Sequence, residues 1–207
     1  MSGKRWAKLA FLVRTKTRAP FSRAFAAFCF VLAYVTFAHA AGTLPPPGEY
    51  VVDGTASSLA FNVTHFVVSS VDGRFKTFAG HVIVGDTLAS TRIEATADTS
   101  SIDTGNQTRD GHLRSADNFD VAHFPTMTFK STLLWGTPTS FGIKGNLTIK
   151  GVTKEVVFSA RIQDSGLILA EAKVDRTDFG IDTGGPVKNE VRLRLRINLV
   201  KSGGAAP

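Results

Sequence analysis

From Val191 to Leu199 the chain alternates without a break. Val191, Leu193, Leu195, Ile197 and Leu199 take one side and Arg192, Arg194, Arg196 and Asn198 the other. A repeat of two belongs to a strand with one dry and one wet face, because a helix would scatter the same leucines and arginines around its whole circumference. The pattern recurs where Leu59, Phe61, Val63 and His65 oppose Ser58, Ala60, Asn62 and Thr64. A third example, Phe141, Ile143, Leu147 and Ile149, is interrupted at Gly145, a residue type that marks a bend or bulge in a strand. Further strands are expected over 50–53, 75–84, 91–98, 126–134, 153–163 and 167–176, with Lys150-Gly151 as a tight turn. About eight strands joined mostly by short turns imply an all-β fold, an antiparallel up-and-down β-barrel closed on itself so that no sheet edge is left open. Such a barrel is just wide enough to be filled by side chains or to hold one slender ligand, and the pattern leaves that choice open.

One polar stretch interrupts the strands. Residues 109–125, RDGHLRSADNFDVAHFP, form a gap too long for a structureless loop in a compact domain. A short helix followed by a turn is expected. Asp110 and Arg114 stand four apart in the favourable order, and Leu113 and Ala116 would share a face with Phe119. Gly111 weakens the helix, and Pro125 ends it before the next strand.

Residues 1–40 have the three parts of a secretory signal peptide. Seven Lys and Arg come first, then an apolar run over 24–37, then Ala38-His39-Ala40 as a small-x-small cleavage pattern. The run is short for a membrane span, and Cys29 sits inside it rather than just after the cleavage point. The whole chain has 24 Lys and Arg against 17 Asp and Glu; the first 40 residues hold seven of the bases and none of the acids, which leaves 17 against 17. The basic excess therefore belongs to the export signal and makes no case for nucleic acid as a partner. The single Cys leaves with it, so the exported domain is held by its core alone. A domain of this size buries roughly 68–70% of its unfolded surface, which suffices. The expected order is signal peptide 1–40, Pro-rich linker 41–48, barrel 49–201 and disordered tail 202–207. The localisation expected is periplasmic, or secreted.

Five blocks in sequence now identify a relationship: YVVDGTASSLAFNVTHF, VDGRFKTFAGHV, RDGHLRSADNFDVAHFPTMTFKS, GNLTIKGVTKEVVF, and VDRTDFGI followed by EVRLRLRINL. Together they resemble the YceI-like family from about Glu49 to Lys201. The resemblance implies a lipocalin-like barrel with a short helical cap, holding a long isoprenoid lipid in an internal tunnel. It implies a binding protein and not an enzyme, with no cofactor beyond the bound polyisoprenoid. Asn118 departs from the family block, where an aromatic is common at that place.

The candidate tunnel lining is Phe61, Val63, His65, Phe78, Phe129, Phe141, Ile143, Phe158 and Phe179. Ten Phe follow residue 40, Phe66, Phe75, Phe119 and Phe124 completing the set, and plain core packing is the competing role for each of them. Arg109, Arg114 and Arg176 are the candidates for a lipid head group, since a guanidinium presents several donors in a fixed fork. Ion pairs of Arg114 with Asp110 and of Arg176 with Asp178 are the structural alternative. His112, Asp117, Asp120 and His123 fit no zinc or calcium spacing, so no metal is expected. Asp103-Thr104-Gly105 and Asp182-Thr183-Gly184 repeat the triplet of aspartic proteases, yet Asn106 and Gly185 follow where that family has a small hydroxyl or alanine. The function expected is a carrier or reservoir for a polyisoprenoid of quinone-precursor or prenyl-phosphate type, in transient contact with a membrane or membrane protein and without nucleic acid. The oligomeric state is left open by the sequence, a homodimer being among the alternatives. A ligand-free barrel serving as a stress-response or interaction module is the alternative, and an aspartic hydrolase a distant one.

Overall fold

The computed structural model describes residues 42–65, 69–182 and 187–203; residues 1–40, expected as a signal peptide, and Ala41, Phe66, Thr183, Gly184 and the side chain of His65 lie outside the described residues. Strands make up more than half of it: β1 (Gly48–Val52), β2 (Ser58–His65), β3 (Ser69–Phe75), β4 (Phe78–Val84), β5 (Arg92–Asp98), β6 (Ile102–Asp103), β7 (Thr126–Gly136), β8 (Ser140–Ile149), β9 (Val152–Ile162), β10 (Ile168–Asp175), β11 (Val187–Ile197) and β12 (Leu199–Lys201). Among the described residues one α-helix, α1 (Gln107–Arg114), stands between β6 and β7.

These twelve segments are eight strands, four of them bent. β1 lies between β12 and β4, and β2, the next segment of chain, lies between β11 and β3. The bends match across the sheet. Asp53 N donates to Asn198 O at 3.0 Å, joining the break between β1 and β2 to the break between β11 and β12. Lys76 N donates to Ser101 O at 3.2 Å and Asp98 N to Thr77 O at 2.9 Å, which aligns the β3–β4 break with the β5–β6 break. Because β1 pairs with both β4 and β12, and β12 continues β11, the ring closes. All pairings are antiparallel, as the alternation required.

Two turn and bulge expectations acquire a mechanism here. Lys150 and Gly151 have φ of 50° and 74°, the pair of positive values that lets a two-residue turn follow the twist of β8 and β9. Opposite Gly145 the register of β7 slips between Ser131 and Leu133, so the bulge residue is Thr132. A Cβ at Gly145 would run into Lys130 O and the Phe129 ring, so the missing side chain makes room for the bulged strand. The stretch 75–84, expected as one strand, is instead broken at Lys76-Thr77. β3, which precedes it, carries SSVDGRF and no apolar alternation to announce it. It is held by its ladder to β2, with the Phe61 ring lying over Gly73 on the facing strand.

The cap also differs in detail. Asn106 starts the helix, its Oδ1 accepting from Arg109 N at 3.0 Å, and Ser115 ends it. Ala116 and Phe119 therefore lie beyond the helix, and Phe119 reaches the core through a turn in which its N donates to Leu113 O at 2.9 Å. The expected Asp110–Arg114 pair is replaced by two separate roles. Asp110, only 6% exposed, accepts from Thr104 N and Oγ1 at 2.9 and 2.5 Å. Arg114 Nε and Nη2 donate to Ser100 O and Ile102 O, each at 2.7 Å, clamping the helix to the barrel. The reason is geometric: two carbonyls at the strand end saturate the fork better than one carboxylate on its own helix. Gly111 sits within this helix, and a methyl group added to it would meet nothing within 4 Å. Gly111→Ala should therefore raise stability by about 0.5–1 kcal/mol, readable as a higher urea midpoint at unchanged slope.

The segment expected as a linker is docked. Gly42 is so close to Gln163 O that a side chain could not fit, Leu44 packs on the core, and Tyr50 Oη donates to Pro46 O at 2.8 Å. Ser202 N donates to Glu49 O at 2.8 Å, so the strand ladder runs one residue past β12.

Candidate ligand-binding site

The eight strands surround a cavity of about 630 Å³. Its floor and walls are apolar. Ile143, Leu147, Phe158 and Ala170 line it from the β8–β10 side and are buried. On the facing side Val191, Leu193, Leu195 and Ile197 also line it, yet each is only half-buried although it points inward. An inward side chain that keeps exposed area faces space, not packed atoms. The barrel is therefore hollow along β11, and this decides the question the alternation left open.

Of the candidate tunnel residues, Phe61, Val63, Phe78, Phe129, Phe141, Ile143, Phe158 and Phe179 all line the cavity. They are not equivalent. Phe61, Phe141, Phe158 and Phe179 are buried and packed, and Phe129 meets Phe158 edge to face at 5.3 Å between ring centres. Phe75 and Phe119, outside the expected set, line it as well and meet edge to face at 5.7 Å. His65 lies on β2, opposite Val187 and Ser69.

Polar lining gathers at one end. Strand directions place the end of β5, the start of β7, the β8–β9 turn and the end of β10 together, and the cap from Thr99 to Pro125 covers that end. Thr99 fixes the cap at its base: its N donates to Pro125 O at 2.9 Å and its Oγ1 to Phe124 O at 2.8 Å. Thr104, Asn106, Arg109, His112, Asn118 and Arg176 line the cavity here. Arg109 Nε and Nη2 donate to Thr104 Oγ1 and O at 2.8 and 2.9 Å. The Thr104 hydroxyl in turn donates to Asp110, which links Arg109 to a buried carboxylate through one hydroxyl. Arg176, 7% exposed, donates from Nη1 to Ile181 O at 2.8 Å and lies 3.5 Å from Asp182 Oδ1. Asp182 thus replaces the expected partner Asp178, which stands 3.9 Å from Lys154 Nζ. The third arginine, Arg114, does not line the cavity, both faces of its fork being held by carbonyls. Thr104 and Asn118 are lining residues that sequence reasoning did not assign to a site; the one signal was Asn118 standing where the family block has an aromatic.

The aspartates of the two Asp-Thr-Gly triplets are held by different cations, Asp103 by Arg74 and Lys76 and Asp182 by Arg176. Asp103 is lowered to about 2 by the Gly105 N–H and the Arg74 guanidinium, with Lys76 adding to it. Its role is to join β6 to β3, where Arg74 Nη2 donates to it at 3.0 Å. A group lowered from 3.8 contributes stability that is present above that pH and lost as the pH falls to about 2. Asp103→Asn should therefore lower the melting temperature at pH 7, and the gap to the unaltered protein should close between pH 4 and pH 2 in paired thermal melts. Among the described residues no group of three or more His, Cys, Asp and Glu is placed to hold a metal. Nor is any described helix long and apolar enough to cross a membrane.

A closed antiparallel barrel around a largely apolar cavity, with its arginine, histidine and asparagine lining gathered at a capped end, has the architecture of a ligand-holding barrel. The chain belongs to the YceI-like family, whose domain matches residues 50–199. It is 35% identical over 166 residues to Protein YceI of Salmonella newport, a match covering 74% of this chain and 87% of that one. Among solved structures it is similar to BcnA of Burkholderia cenocepacia, with a TM-score of 0.65 at 23% identity over 72% of this chain and 99% of that chain. It is also similar to a polyisoprenoid binding domain from Saccharophagus degradans, with a TM-score of 0.58 at 16% identity over 74% of this chain and 98% of that one. A YceI protein of Campylobacter jejuni gives 0.58 at 26% identity over 68% and 90%.

Proposed function

We propose that this protein is an exported carrier or reservoir for a polyisoprenoid lipid, held with its chain along the barrel and its head at the cap. The observation that carries the reading is the hollow β11 wall, where a run of inward aliphatic side chains faces open space. The cavity volume falls in the range of ligand sites, roughly 300–1,000 Å³. The likeness to the Saccharophagus polyisoprenoid binding domain supports an isoprenoid as the occupant. Residues 1–40 support export, and cleavage after Ala40 would release a chain beginning at Ala41.

Energetics favour a shuttle. Each methylene taken out of water contributes about 0.8 kcal/mol, but a lipid's alternative is a bilayer in which those carbons are already dry. The tunnel then has only to match the membrane, and contacts at the head set capture and release. Arg109 and Arg176 are the cationic side chains that line the cap end and take that role. Transfer from labelled vesicles tests the reading: the protein should withdraw a fluorescent polyprenyl lipid from neutral vesicles, and failure to do so over a range of chain lengths would contradict it. Intact mass of the exported product should begin at Ala41, and a full-length membrane-bound product would contradict the soluble carrier.

A further inference from the structure

The segment 42–47 stands ahead of residues 50–199, the part of the chain that matches the family domain, so that match assigns it no role. It runs over the end of the barrel opposite the cap. Pro47 leads into Gly48, where β1 begins beside Val84 at the end of β4, while Gly42 is buried against Gln163 O in the turn that joins β9 to β10. Between those two points on the ring stand β10 and the strand made by β11 and β12. Leu44, in the middle of the segment, is half-buried, packs on the core and lines the cavity. The segment is therefore a strap that reaches from the rim into the uncapped end of the cavity.

The strap is built as a fixed part. Pro45, Pro46 and Pro47 each have φ locked by the ring, and a proline run is a semi-rigid spacer. Tyr50 Oη donates to Pro46 O at 2.8 Å, which pins the run to β1. At the other end, the turn that receives Gly42 is closed by Gln163 N donating to Leu167 O at 2.9 Å and Gly166 N donating to Gln163 O at 2.8 Å. Leu44 is held between two anchored ends. The lining beside the β4–β5 connection is fixed as well: Thr91 is 1% exposed, its Oγ1 accepting from Gly85 N at 3.2 Å and donating to Thr87 O at 3.1 Å. A side chain held in this way is a stop, not a flap.

We propose, on the basis of the lipid-carrier reading, that Leu44 is a specificity-determining residue: it is the stop against which the far end of the lipid tail comes to rest, so the strap sets the longest polyisoprenoid the barrel holds. With the head at the cap, the tail runs toward the uncapped end, where Leu44 lines the cavity. A tail that fits is dry along its whole length, as it is in a bilayer. A longer one meets Leu44, and its surplus is either left in water or must displace an anchored strap. Each methylene that loses its dry environment weakens binding about fourfold, so one isoprene unit beyond the stop is rejected strongly. Tails that fall short of the stop are accepted.

The test compares tails on one head. A series of polyprenols, each longer than the last by a single isoprene unit, is presented in phosphatidylcholine vesicles to the purified product of the full chain, and transfer to the protein is measured. The unaltered protein should accept tails up to a limit and bind the next longer one at least about tenfold more weakly. Leu44→Gly removes nearly as many carbons as an isoprene unit adds, and should move the limit up by about one unit. Leu44→Trp should move it down. Shifts in opposite directions do not arise from a general loss of stability, and the upward shift decides alone if the tryptophan variant fails to fold. A series without a limit, a limit unchanged in Leu44→Gly, or an equal change for every tail overturns the stop and leaves the carrier reading intact. Transfer of none of the polyprenols to the unaltered protein overturns both.

Discussion

Phe179→Ala is expected to cost about 3–5 kcal/mol, among the largest effects of any single truncation in this chain. Phe179 is 1% exposed, stands in the turn after β10, and joins the barrel core to the capped end. The lost ring leaves a hole next to the existing cavity, and the rigid turn around it limits collapse. Arg176 N-terminal to it and Gly180 at φ 67° C-terminal to it are both fixed, the first by Ile181 O and the second by its left-handed backbone. Urea unfolding should show a lower midpoint with little change in slope. A loss below about 1 kcal/mol would mean that the ring is not packed as described.

Leu195→Trp should have the opposite character, a large loss of ligand with little loss of stability. Leu195 sits between Ala170 and Leu59 on the neighbouring strands and faces the cavity. Indole placed there extends into open space, whereas the same enlargement in a solid core typically costs 1–3 kcal/mol. Phe61 and Phe129 are poorer positions for this test, because the first fills the space over Gly73 and the second packs edge to face against Phe158. Lipid retained per folded Leu195→Trp molecule should fall by an order of magnitude or more while the melting temperature moves little. A strongly destabilised variant with full lipid content would contradict a hollow β11 wall.

The parts of this architecture that were legible in the sequence are those governed by local pattern. The alternation from Val191 to Leu199 reports which side of the strand is dry, and the Lys150-Gly151 turn reports a backbone need that few residue pairs meet. Gly145 likewise marks a crossing where a side chain would collide with β7. What the sequence could not show depends on partners distant in the chain. The strand β3 exists because β2 supplies its ladder, not because SSVDGRF favours extension. The bends that divide eight strands into twelve segments are set by cross-strand agreement, as when Asp53 answers Asn198. At the site, the three arginines look alike as residue types. Only the fold separates Arg114, whose fork is held by Ser100 and Ile102, from Arg109 and Arg176, which face the cavity. Alternation places the same aliphatic residues inward in a solid barrel and a hollow one, so the cavity itself was not readable from it.

A carrier must use its hollow interior for lipid. Organic extraction of the natively purified protein, followed by mass spectrometry of the extract, addresses this without an added ligand. The expected result is about one polyisoprenoid per folded molecule, lost on Leu195→Trp and kept on Asp103→Asn. Extracts free of lipid from several well-folded preparations would contradict the carrier role, and would leave a barrel whose cavity is not a lipid site.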